Sequence, residues 1–246
     1  MTFGYVRLET KKLTAALILD LSAAFDIVDH QILLWKLEAY NFSLSALSWF
    51  QSYLSDRFQV VQVESRMSDP KLVGPQRVPR GSLLSPILFL IFYNDFSDVR
   101  PEGASVVYAD DDTDNMSDAD VGTLQDKIQN EANLSTSWVR DNKMVCSGSK
   151  TKLMVVGTRE LRKSKFMNMN KMEIVVDGFM VSESRSERLL GLLMNNEMTW
   201  EHHLHGNGES KGLIEKLSYR ANLVYRLEKD VPKNQLKAFS EGSKYL

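Results

Sequence analysis

The sequence predicts an α+β fold in which a small antiparallel sheet is backed by helices. An apolar run of strand length ends at Asp20. Further along, residues 106–108 are β-branched or aromatic and lead into an Asp-rich segment that begins at Asp110, which favours a strand and then a tight hairpin. Apolar residues at helical spacing within 86–95 and 117–139 predict two helices that cover the sheet.

Each of these two strands leads into carboxylates, which is the first indication of chemistry. Asp110, Asp111 and Asp112 are adjacent like charges, so a fold that gathers them needs a cation or another compensating partner. Asp20 follows a buried strand, where an unpaired carboxylate would be costly. Carboxylates from two strands that share two divalent ions about 3.5–4 Å apart suit in-line displacement at phosphorus. A solvated acidic loop is the simpler interpretation of the Asp run alone.

The composition is that of an ordinary globular protein. The 246 residues are 43% hydrophobic and 25% charged, enough for one or two domains with a core. The single cysteine, Cys146, excludes an intrachain disulfide and fits a reducing compartment. The longest apolar run, residues 87–93, is too short to cross a membrane. Asp20 interrupts a basic and apolar start that superficially resembles a signal peptide. We therefore expect an intracellular protein of the cytoplasm, the nucleus or both, which is not secreted.

Two helices and a strand are predicted after the first strand. The helices start near Asp29 and Ser43, because apolar residues then recur at helical spacing, and residues 58–63 predict the strand. Ser85 followed by Pro86 predicts the next helix, with serine as N-cap and proline at the first helical position. That helix is apolar nearly all round, so we expect it to be buried beneath the sheet.

Local signals continue through the second half of the chain. Polar, turn-prone residues are expected to continue the acidic hairpin as far as Met116, and Ser117 with Asp120 then resembles a capping box. An Asp-Gly pair at residues 177–178 predicts a β-hairpin. Apolar residues at helical spacing in the tail from Lys211 predict a helix. We expect three nearby glycines to weaken it by roughly 1 kcal/mol each, namely Gly206, Gly208 and Gly212.

Three ordered motifs resemble the reverse transcriptase domain of non-LTR (LINE-type) retrotransposons, over nearly the whole length of the chain. Residues 19–26 (LDLSAAFD) are similar to the family's first catalytic motif, and residues 108–111 (YADD) to its Tyr-x-Asp-Asp motif. Between them, residues 78–86 (VPRGSLLSP) resemble its Val-Pro-Gln-Gly-Ser segment. Three motifs in the family's order and spacing are far more specific than a single Asp-Asp pair.

The resemblance implies the palm of a right-hand polymerase, with a partial helical thumb and most of the fingers missing. The palm would cover residues 1–197, with a fingers-side insertion near 31–77, and the thumb residues 198–246. The implied activity is RNA-directed DNA polymerisation, with an RNA template, a DNA primer and deoxynucleoside triphosphates (dNTPs) as partners. The implied cofactor is Mg²⁺, with Mn²⁺ as an alternative. We expect no membrane partner, and the oligomeric state is left open.

The resemblance also assigns roles to individual residues. Asp20 and Asp110 would hold two metal ions, with Asp111 supporting the site, and these three are the catalytic and metal-binding carboxylates. Lys150 would be a catalytic proton donor or charge stabiliser at the leaving pyrophosphate, with an ordinary surface lysine as the alternative. Phe25 would occupy the space that a ribose 2′-hydroxyl needs, with core packing as the alternative. The substrate-binding residues are then Phe25, Arg80, Gly81 and Tyr108.

Two substitutions separate the chain from the family pattern. Arg80 stands where the family has a glutamine that contacts the nucleotide, and Arg77 where it has a glycine. An arginine can hold a phosphate or a base but cannot reproduce the donor and acceptor pair of an amide. The chain also starts just before Asp20, so we expect the template-gripping fingers strands to be missing and the fragment to be incomplete or weakly active.

Two rival functions are kept open. The chain could be an inactive retrotransposon relic that acts at most as a weak nucleic-acid-binding protein. It could also be another two-metal phosphotransferase, such as a nucleotidyl cyclase or a nuclease on a similar palm. The motif at 108–111 and the Lys150-Thr151 segment favour a polymerase over that second rival.

The charge distribution bears on nucleic-acid binding. The formal net charge is −2, but residues 139–171 carry nine basic and two acidic residues. Such a basic band suits phosphate neutralisation, although a solvated loop is the commoner meaning of a charge run. Three clustered histidines invite a zinc interpretation, which the single cysteine and the lack of spaced partner ligands disfavour; they are His202, His203 and His205.

Overall fold

The structure is a computed structural model in which the chain divides into two compact units, Met1–Glu183 and Ser184–Leu246. The described residues are 11–21, 24–74, 76–79, 81–99, 104–108, 111–166, 171–189 and 191–227, with the backbone alone for 104–108, 111, 223, 224 and 227. The predicted boundary between palm and thumb follows residue 197 and concerns functional subdomains, so it stays a prediction.

The first unit mixes strands and helices, as predicted. Its strands in chain order are β1 (Leu13–Asp20), β2 (Phe58–Gln59), β3 (Gln62–Val63), β4 (Arg66–Met67), β5 (Lys71–Leu72), β6 (Ala104–Tyr108), β7 (Asp111–Asp118), β8 (Lys152–Val156), β9 (Glu173–Val176) and β10 (Phe179–Ser184). Its helices are α1 (His30–Ala39), α2 (Leu44–Leu54), α3 (Leu84–Tyr93), α4 (Val121–Asp141) and α5 (Arg159–Lys165), with 3₁₀ turns at Ala24–Asp26 and Asn94–Ser97.

The main sheet places β1 among neighbours on both sides. Six of the described strands form it in the order β6-β7-β1-β8-β10-β9, and β1 pairs antiparallel with both β7 and β8. Apart from Ile18 and Asp20, every residue of β1 is buried. Helix α4 packs against β1, β7 and β9 through its predicted apolar face, which consists of Val121, Leu124, Ile128, Ala132 and Trp138. The strand that ends at Asp20 is therefore fixed by pairing on its edges and by core packing.

The predicted starts of α1 and α2 are confirmed, whereas the predicted caps of α3 and α4 are wrong. Asp29 caps α1 and Ser43 caps α2, each with a side-chain oxygen that accepts backbone N–H groups of the first turn. Helix α4 is capped by Asp120, whereas Ser117 belongs to β7, so the predicted capping box is wrong. Ser85 is not a cap either, because α3 starts one residue earlier and Ser85 Oγ donates to the carbonyl of Pro79.

Helix α3 is buried on one side only. Its core side contributes the buried Leu88, Phe89 and Phe92, but Ile87 and Leu90 are 52% and 59% exposed. The expectation that this helix is buried is therefore correct for one side of the helix and wrong for the other. An apolar composition on every face did not reveal which side meets the core.

Residues 58–63 form two short strands instead of one. Strand β2 pairs with β5 and β3 pairs with β4, giving two separate two-stranded pairs. Glu64, between β3 and β4, has φ +53°, a left-handed conformation typical of a two-residue hairpin turn. The hairpin predicted at Asp177-Gly178 is confirmed, with φ +48° and +80° at the two turn residues.

Strand β7 is longer than the sequence indicates. We expected polar turn residues as far as Met116, whereas the structure has a continuous strand over Asp111–Asp118. Asp112 and Asp114 are fully buried in it. Pairing with β1 on one edge and β6 on the other satisfies the backbone of β7, and this tertiary context outweighs the low strand propensity of Asp and Asn.

The second unit contains β11 (Ser186–Leu189), β12 (Leu192–Asn195), α6 (Glu201–His205) and α7 (Leu213–Leu227). The predicted tail helix is confirmed as far as Leu227, and Pro232 lies outside the described residues. Gly206 and Gly212 form a tight turn before α7 and do not interrupt a helix. A Cβ on Gly212 would lie 2.4 Å from the carbonyl oxygen of Leu204. The turn requires glycine there, so the expectation that these glycines weaken α7 is wrong.

Within the part of the chain that the structure describes, no helix is both long enough and apolar enough to span a membrane.

Candidate active site

Asp20 lies at the carboxyl end of β1 and is held by neighbours on two sides. Its register partner on β7 is Asp111, and directly opposed residues of antiparallel strands have Cα atoms about 4.5–5.5 Å apart. On the other side, the N–H of Ser147 donates to the carbonyl of Asp20 at 2.9 Å. Leu21 forms a β-bridge with Cys146. The backbone around Asp20 is thus fixed between β7 and the loop that follows α4.

Lys150 lies in that loop and approaches Asp20. Its Nζ is 3.7 Å from Asp20 Oδ1, longer than a normal N–H···O hydrogen bond. A tight turn sets its position, since the N–H groups of Lys150 and Thr151 both donate to the carbonyl of Ser147, at 3.0 and 2.9 Å. The side chains of Lys150 and Asp20 are 65% and 42% exposed. The carboxylate is therefore paired loosely and remains open to solvent.

Strands β6 and β7 form the predicted hairpin, with Tyr108 and Asp111 in register. The side chains of these two residues, and all of Asp110, lie outside the described part of the chain. The fold thus brings the backbone of Asp111, the last residue of the Tyr-x-Asp-Asp segment, beside Asp20. The predicted convergence of the Asp20 and Asp110 carboxylates stays a prediction.

Phe25 lies in the 3₁₀ turn at the end of the first motif. Its ring stacks on Phe89 of α3, with centroids 4.5 Å apart and an angle of 29° between the planes. Phe89 is fully buried, whereas Phe25 is half-buried. The carbonyl of Phe25 accepts from the N–H of Val78 at 3.1 Å. The core thus supports the ring while part of it stays accessible, which fits both the sugar-excluding role and the packing alternative.

The loop that resembles the second motif contains a conformational requirement for glycine. Gly81 has φ +78°, and a Cβ at this position would meet nothing within 4 Å. Gly81 is therefore needed for its backbone conformation and not because space is short. Arg80 lies outside the described residues, so its predicted contact with substrate stays a prediction.

Sequence reasoning missed the role of Arg77, which ties the second motif to the first. Its Nε lies 3.1 Å from Asp26 Oδ1. Its N–H donates to the carbonyl of Val28 at 3.2 Å, and its own carbonyl accepts from His30 Nε2 at 3.0 Å. Arg77 has φ +97°, a conformation that favours glycine. The departure from the family's glycine was the signal that could have revealed this strain.

The basic band at residues 139–171 is partly neutralised by carboxylates. Lys143 pairs with Asp29, Arg140 with Asp177, Lys150 with Asp20, and Arg162 with Glu183. The other five basic residues of the band are exposed, and they are Lys152, Arg159, Lys163, Lys165 and Lys171. Contacts with phosphates through this band would rest mainly on those five side chains.

Two ionisable groups, one beside Leu21 and one at the start of α1, have pKa values shifted from the ordinary ones. Burial raises the pKa of the Cys146 thiol; a bond with Thr151 works against this, and the carboxylates of Asp177 and Asp20 add to the increase. Cys146 is therefore a neutral thiol and a poor nucleophile. Burial opposes ionisation of Asp29, but the bond with Lys143 and two backbone N–H groups outweigh it and lower the pKa of Asp29.

Of the predicted metal ligands, only the side chain of Asp20 is described, and within the described residues no group of three or more His, Cys, Asp or Glu side chains could hold a metal ion, so the metal site stays a prediction. Mg²⁺ prefers carboxylate oxygens and keeps several bound waters, so a small number of solvent-accessible carboxylates is enough to bind it. The Asp20 carboxylate is accessible and only loosely paired with Lys150. The three histidines lie on α6 in the second unit, where His203 Nδ1 accepts from the N–H of Leu193 at 3.2 Å.

The fold defines the class of protein first. A sheet that carries an aspartate at the end of an internal strand, an Asp-containing hairpin beside it and helices behind it is the palm of a right-hand polymerase. Residues 4–194 match the family described as "Reverse transcriptase (RNA-dependent DNA polymerase)". This match covers more than half of the sequence, and the chain belongs to the reverse transcriptase family. The predicted family is thereby confirmed, and the match does not extend to its non-LTR branch.

Two solved structures resemble the chain. Apo telomerase from Candida tropicalis, truncated from its C-terminal domain, matches with a TM-score of 0.50 and 13% identity, over 75% of this chain and 34% of that one. Telomerase from Candida albicans, in complex with a TWJ fragment of telomeric RNA, matches with a TM-score of 0.33 and 14% identity, over 76% and 32%. The first likeness supports the fold alone, and this chain spans about a third of the length of either telomerase chain. No curated protein gives a significant match.

Proposed function

We propose that the chain is the palm-containing part of a non-LTR retrotransposon reverse transcriptase, that the reaction of such an enzyme is extension of a DNA primer on an RNA template by two-metal nucleotidyl transfer, and that Arg80 impairs this reaction in the unmodified chain. The observation that carries the proposal is the register of Asp20 with Asp111, together with the Lys150 ammonium 3.7 Å from the Asp20 carboxylate. These residue types at the end of two paired strands suit phosphoryl transfer, in which positioning and charge stabilisation supply most of the catalysis.

Asp20, Asp110 and Asp111 would hold the metal ions, Mg²⁺ or Mn²⁺. When bound, such ions lower the pKa of an attacking hydroxyl and neutralise phosphate charge. Lys150 would stabilise the leaving pyrophosphate or donate a proton to it, because its flexible side chain is exposed beside Asp20. The tight turn at Ser147 and Thr151 would keep Lys150 at that position.

Phe25, Arg80, Gly81 and Tyr108 would contact the substrates. The ring of Phe25 is supported from behind by Phe89, so it could resist displacement by a ribose 2′-hydroxyl and favour dNTPs. The positive φ of Gly81 would shape the loop on which Arg80 meets the nucleotide. The predicted partial thumb, residues 198–246, would contact the primer.

The alternative function is an inactive relic that binds nucleic acid weakly. The specific observation in its favour is Arg77, which occupies a backbone conformation suited to the family's glycine. Arg80 in place of the glutamine points the same way, because it cannot reproduce the amide's hydrogen-bonding pair. Binding would then rest on the exposed part of the basic band and weaken steeply with salt.

Primer extension on a primed RNA template with dNTPs and Mg²⁺ tests the proposal. We expect no measurable extension by the unmodified chain, because a misplaced nucleotide loses much of the rate that positioning supplies. We expect extension by Arg80→Gln that disappears when Asp110→Ala is added to it. Asp110→Ala alone is the matched control for Mg²⁺ binding, measured by calorimetry.

The outcomes separate the two functions. Extension by the unmodified chain that Asp110→Ala abolishes would overturn the relic alternative. If neither the unmodified chain nor Arg80→Gln extends the primer while both still bind nucleic acid, the relic function replaces the polymerase. Mg²⁺ binding that Asp110→Ala leaves unchanged would remove the metal site from this hairpin.

A further inference from the structure

An exposed aromatic pair lies beside the Gly81 loop, and the proposed chemistry does not use it. Trp49 and Tyr53 are four residues apart on α2 and share one face of the helix. Their rings are parallel within 8°, with centroids 5.3 Å apart. Trp49 is 53% exposed, whereas Tyr53 is half-buried and supports it. The indole thus presents accessible surface from a stacked, ordered position.

A ring contact on one side and a hydrogen bond on the other hold the Trp49–Tyr53 pair in place. The edge of Trp49 packs against Phe50, with centroids 5.1 Å apart at 81°. The Tyr53 hydroxyl hydrogen-bonds Ser82 Oγ at 2.6 Å. Ser82 Oγ also accepts from the N–H of Leu84 at 3.2 Å. The aromatic pair is therefore connected directly to the loop after Gly81 and to the start of α3, and little side-chain freedom would be lost on binding.

The surroundings of the ring favour a nucleotide base over a protein. The exposed neighbours of Trp49 on α2 are polar, namely Ser48, Gln51 and Ser52. Helix α2 (LSALSWFQSYL) also carries no charged side chain, so no carboxylate of this helix repels a phosphate. Bases stack on tryptophan and tyrosine with about 1–3 kcal/mol per base, and they do so for every base type.

We propose that Trp49, backed by Tyr53, stacks an unpaired base of single-stranded nucleic acid and thereby positions the strand at the Ser82 end of the loop. The inference rests on the proposed function only in that the chain handles RNA or DNA strands. Trp49 is a positioning residue, since it touches the strand and not the reacting atoms.

Binding of labelled single-stranded oligonucleotides, followed by fluorescence anisotropy, tests the stacking. Each RNA or DNA strand is compared with a strand of equal length in which abasic sites replace the bases, so phosphate binding is measured separately. Trp49→Ala is compared with Trp49→Phe, which keeps an aromatic face. Trp35→Ala is the matched control, because Trp35 on α1 is 60% exposed but belongs to another helix.

We expect Trp49→Ala to weaken binding of the base-containing strand by about 5- to 150-fold and to leave the abasic strand unaffected. Trp49→Phe should retain most of the affinity and Trp35→Ala all of it. Unchanged binding of the base-containing strand by Trp49→Ala, equal losses on both strands, or no strand binding by the unmodified chain would each overturn the proposal. Light scattering that showed Trp49→Ala dissolving an oligomer would identify a second copy as the occupant instead.

The inference and the proposed function fail separately. A chain that never extends a primer but binds strands through Trp49 keeps the stacking proposal. A chain that extends primers while Trp49→Ala changes neither binding nor extension loses the stacking proposal alone. A preference for RNA or for DNA in the binding series would identify which strand Trp49 contacts.

Discussion

Replacing Arg77 with glycine tests whether the loop before the second motif is strained. Arg77 has φ +97°, where a side chain costs about 1–2 kcal/mol. Glycine removes that cost but adds roughly 0.5–1 kcal/mol of backbone entropy in the unfolded chain. It also removes the ion pair between Arg77 Nε and Asp26 Oδ1, which is partly exposed and contributes about 0.2–1 kcal/mol.

Arg77→Ala separates these contributions, because alanine removes the ion pair and keeps the strain. We expect Arg77→Ala to lower the free energy of unfolding by about 0.2–1 kcal/mol. Arg77→Gly should be more stable than Arg77→Ala by about 1 kcal/mol, which returns it to the stability of the unmodified chain or slightly above it. The backbone bond from Arg77 to Val28 is available to all three residues.

Urea unfolding followed by circular dichroism measures the three free energies, and thermal scans should show a difference of about 2–4 °C between the two variants. If Arg77→Gly is less stable than Arg77→Ala, the positive φ carries no strain and the reasoning is refuted. A glycine variant that also gained primer extension in the Arg80→Gln background would identify Arg77 as a second lesion of this loop.

Two further predictions concern local stability. The N–H of Asp120 and the ammonium of Lys127 donate hydrogen bonds to the Asp118 carboxylate and lower its pKa to about 2. The pKa in the folded protein is therefore below the ordinary value of 3.8. The resulting stabilisation is complete above about pH 4 and is lost as the pH falls toward 2. Asp118→Asn should therefore flatten the pH dependence of the unfolding temperature in that window, and identical profiles for both proteins would contradict the assignment. Gly212→Ala should lower the stability of the second unit by several kcal/mol, because its Cβ would lie 2.4 Å from the carbonyl oxygen of Leu204; hydrogen exchange that left α7 as protected as before would show that the turn can adapt.

The elements that the sequence predicted well have a local physical signature. The apolar run before Asp20 forms a strand in which every position except Ile18 and Asp20 is buried. A short, continuous apolar run is typical of such a buried strand. Asp29 and Ser43 cap their helices through bonds within three residues, so sequence spacing alone could reveal them. The Asp177-Gly178 turn follows from the backbone conformations that these two residue types tolerate.

The elements that the sequence predicted badly depend on distant partners. Ser85 looked like a helix cap, but its hydroxyl bonds Pro79, and only the folded loop brings the two groups together. The exposed side of α3 could not be predicted, because Ile87 and Leu90 are as apolar as the residues that meet the core. The link from Tyr53 to Ser82 joins residues 29 positions apart and leaves no periodic signal.

The candidate site shows the same division between motif and context. Asp20, Asp111 and Lys150 were predicted from motif resemblance, and the fold places the first two in register and the third 3.7 Å from Asp20. The pairing of Asp26 with Arg77 was not predicted, because the family pattern has a glycine at residue 77 and so offers no side chain to pair. A side chain that the family's motif lacks, such as that of Arg77, therefore makes contacts that comparison with the motif does not predict.

Strand β7 shows most clearly what holds the site together. The register of Asp20 with Asp111 requires β7 to stay between β1 and β6, yet β7 brings Asp112 and Asp114 into full burial. Burying carboxylates is costly unless they have partners, and Asp114 accepts a hydrogen bond from Ser135 Oγ at 3.5 Å. Strand β7 is held beside Asp20 by its eight-residue pairing with β1. The carboxylate site depends on the strength of that pairing, so changes that weaken β1 should disturb the site before they unfold the helices behind it.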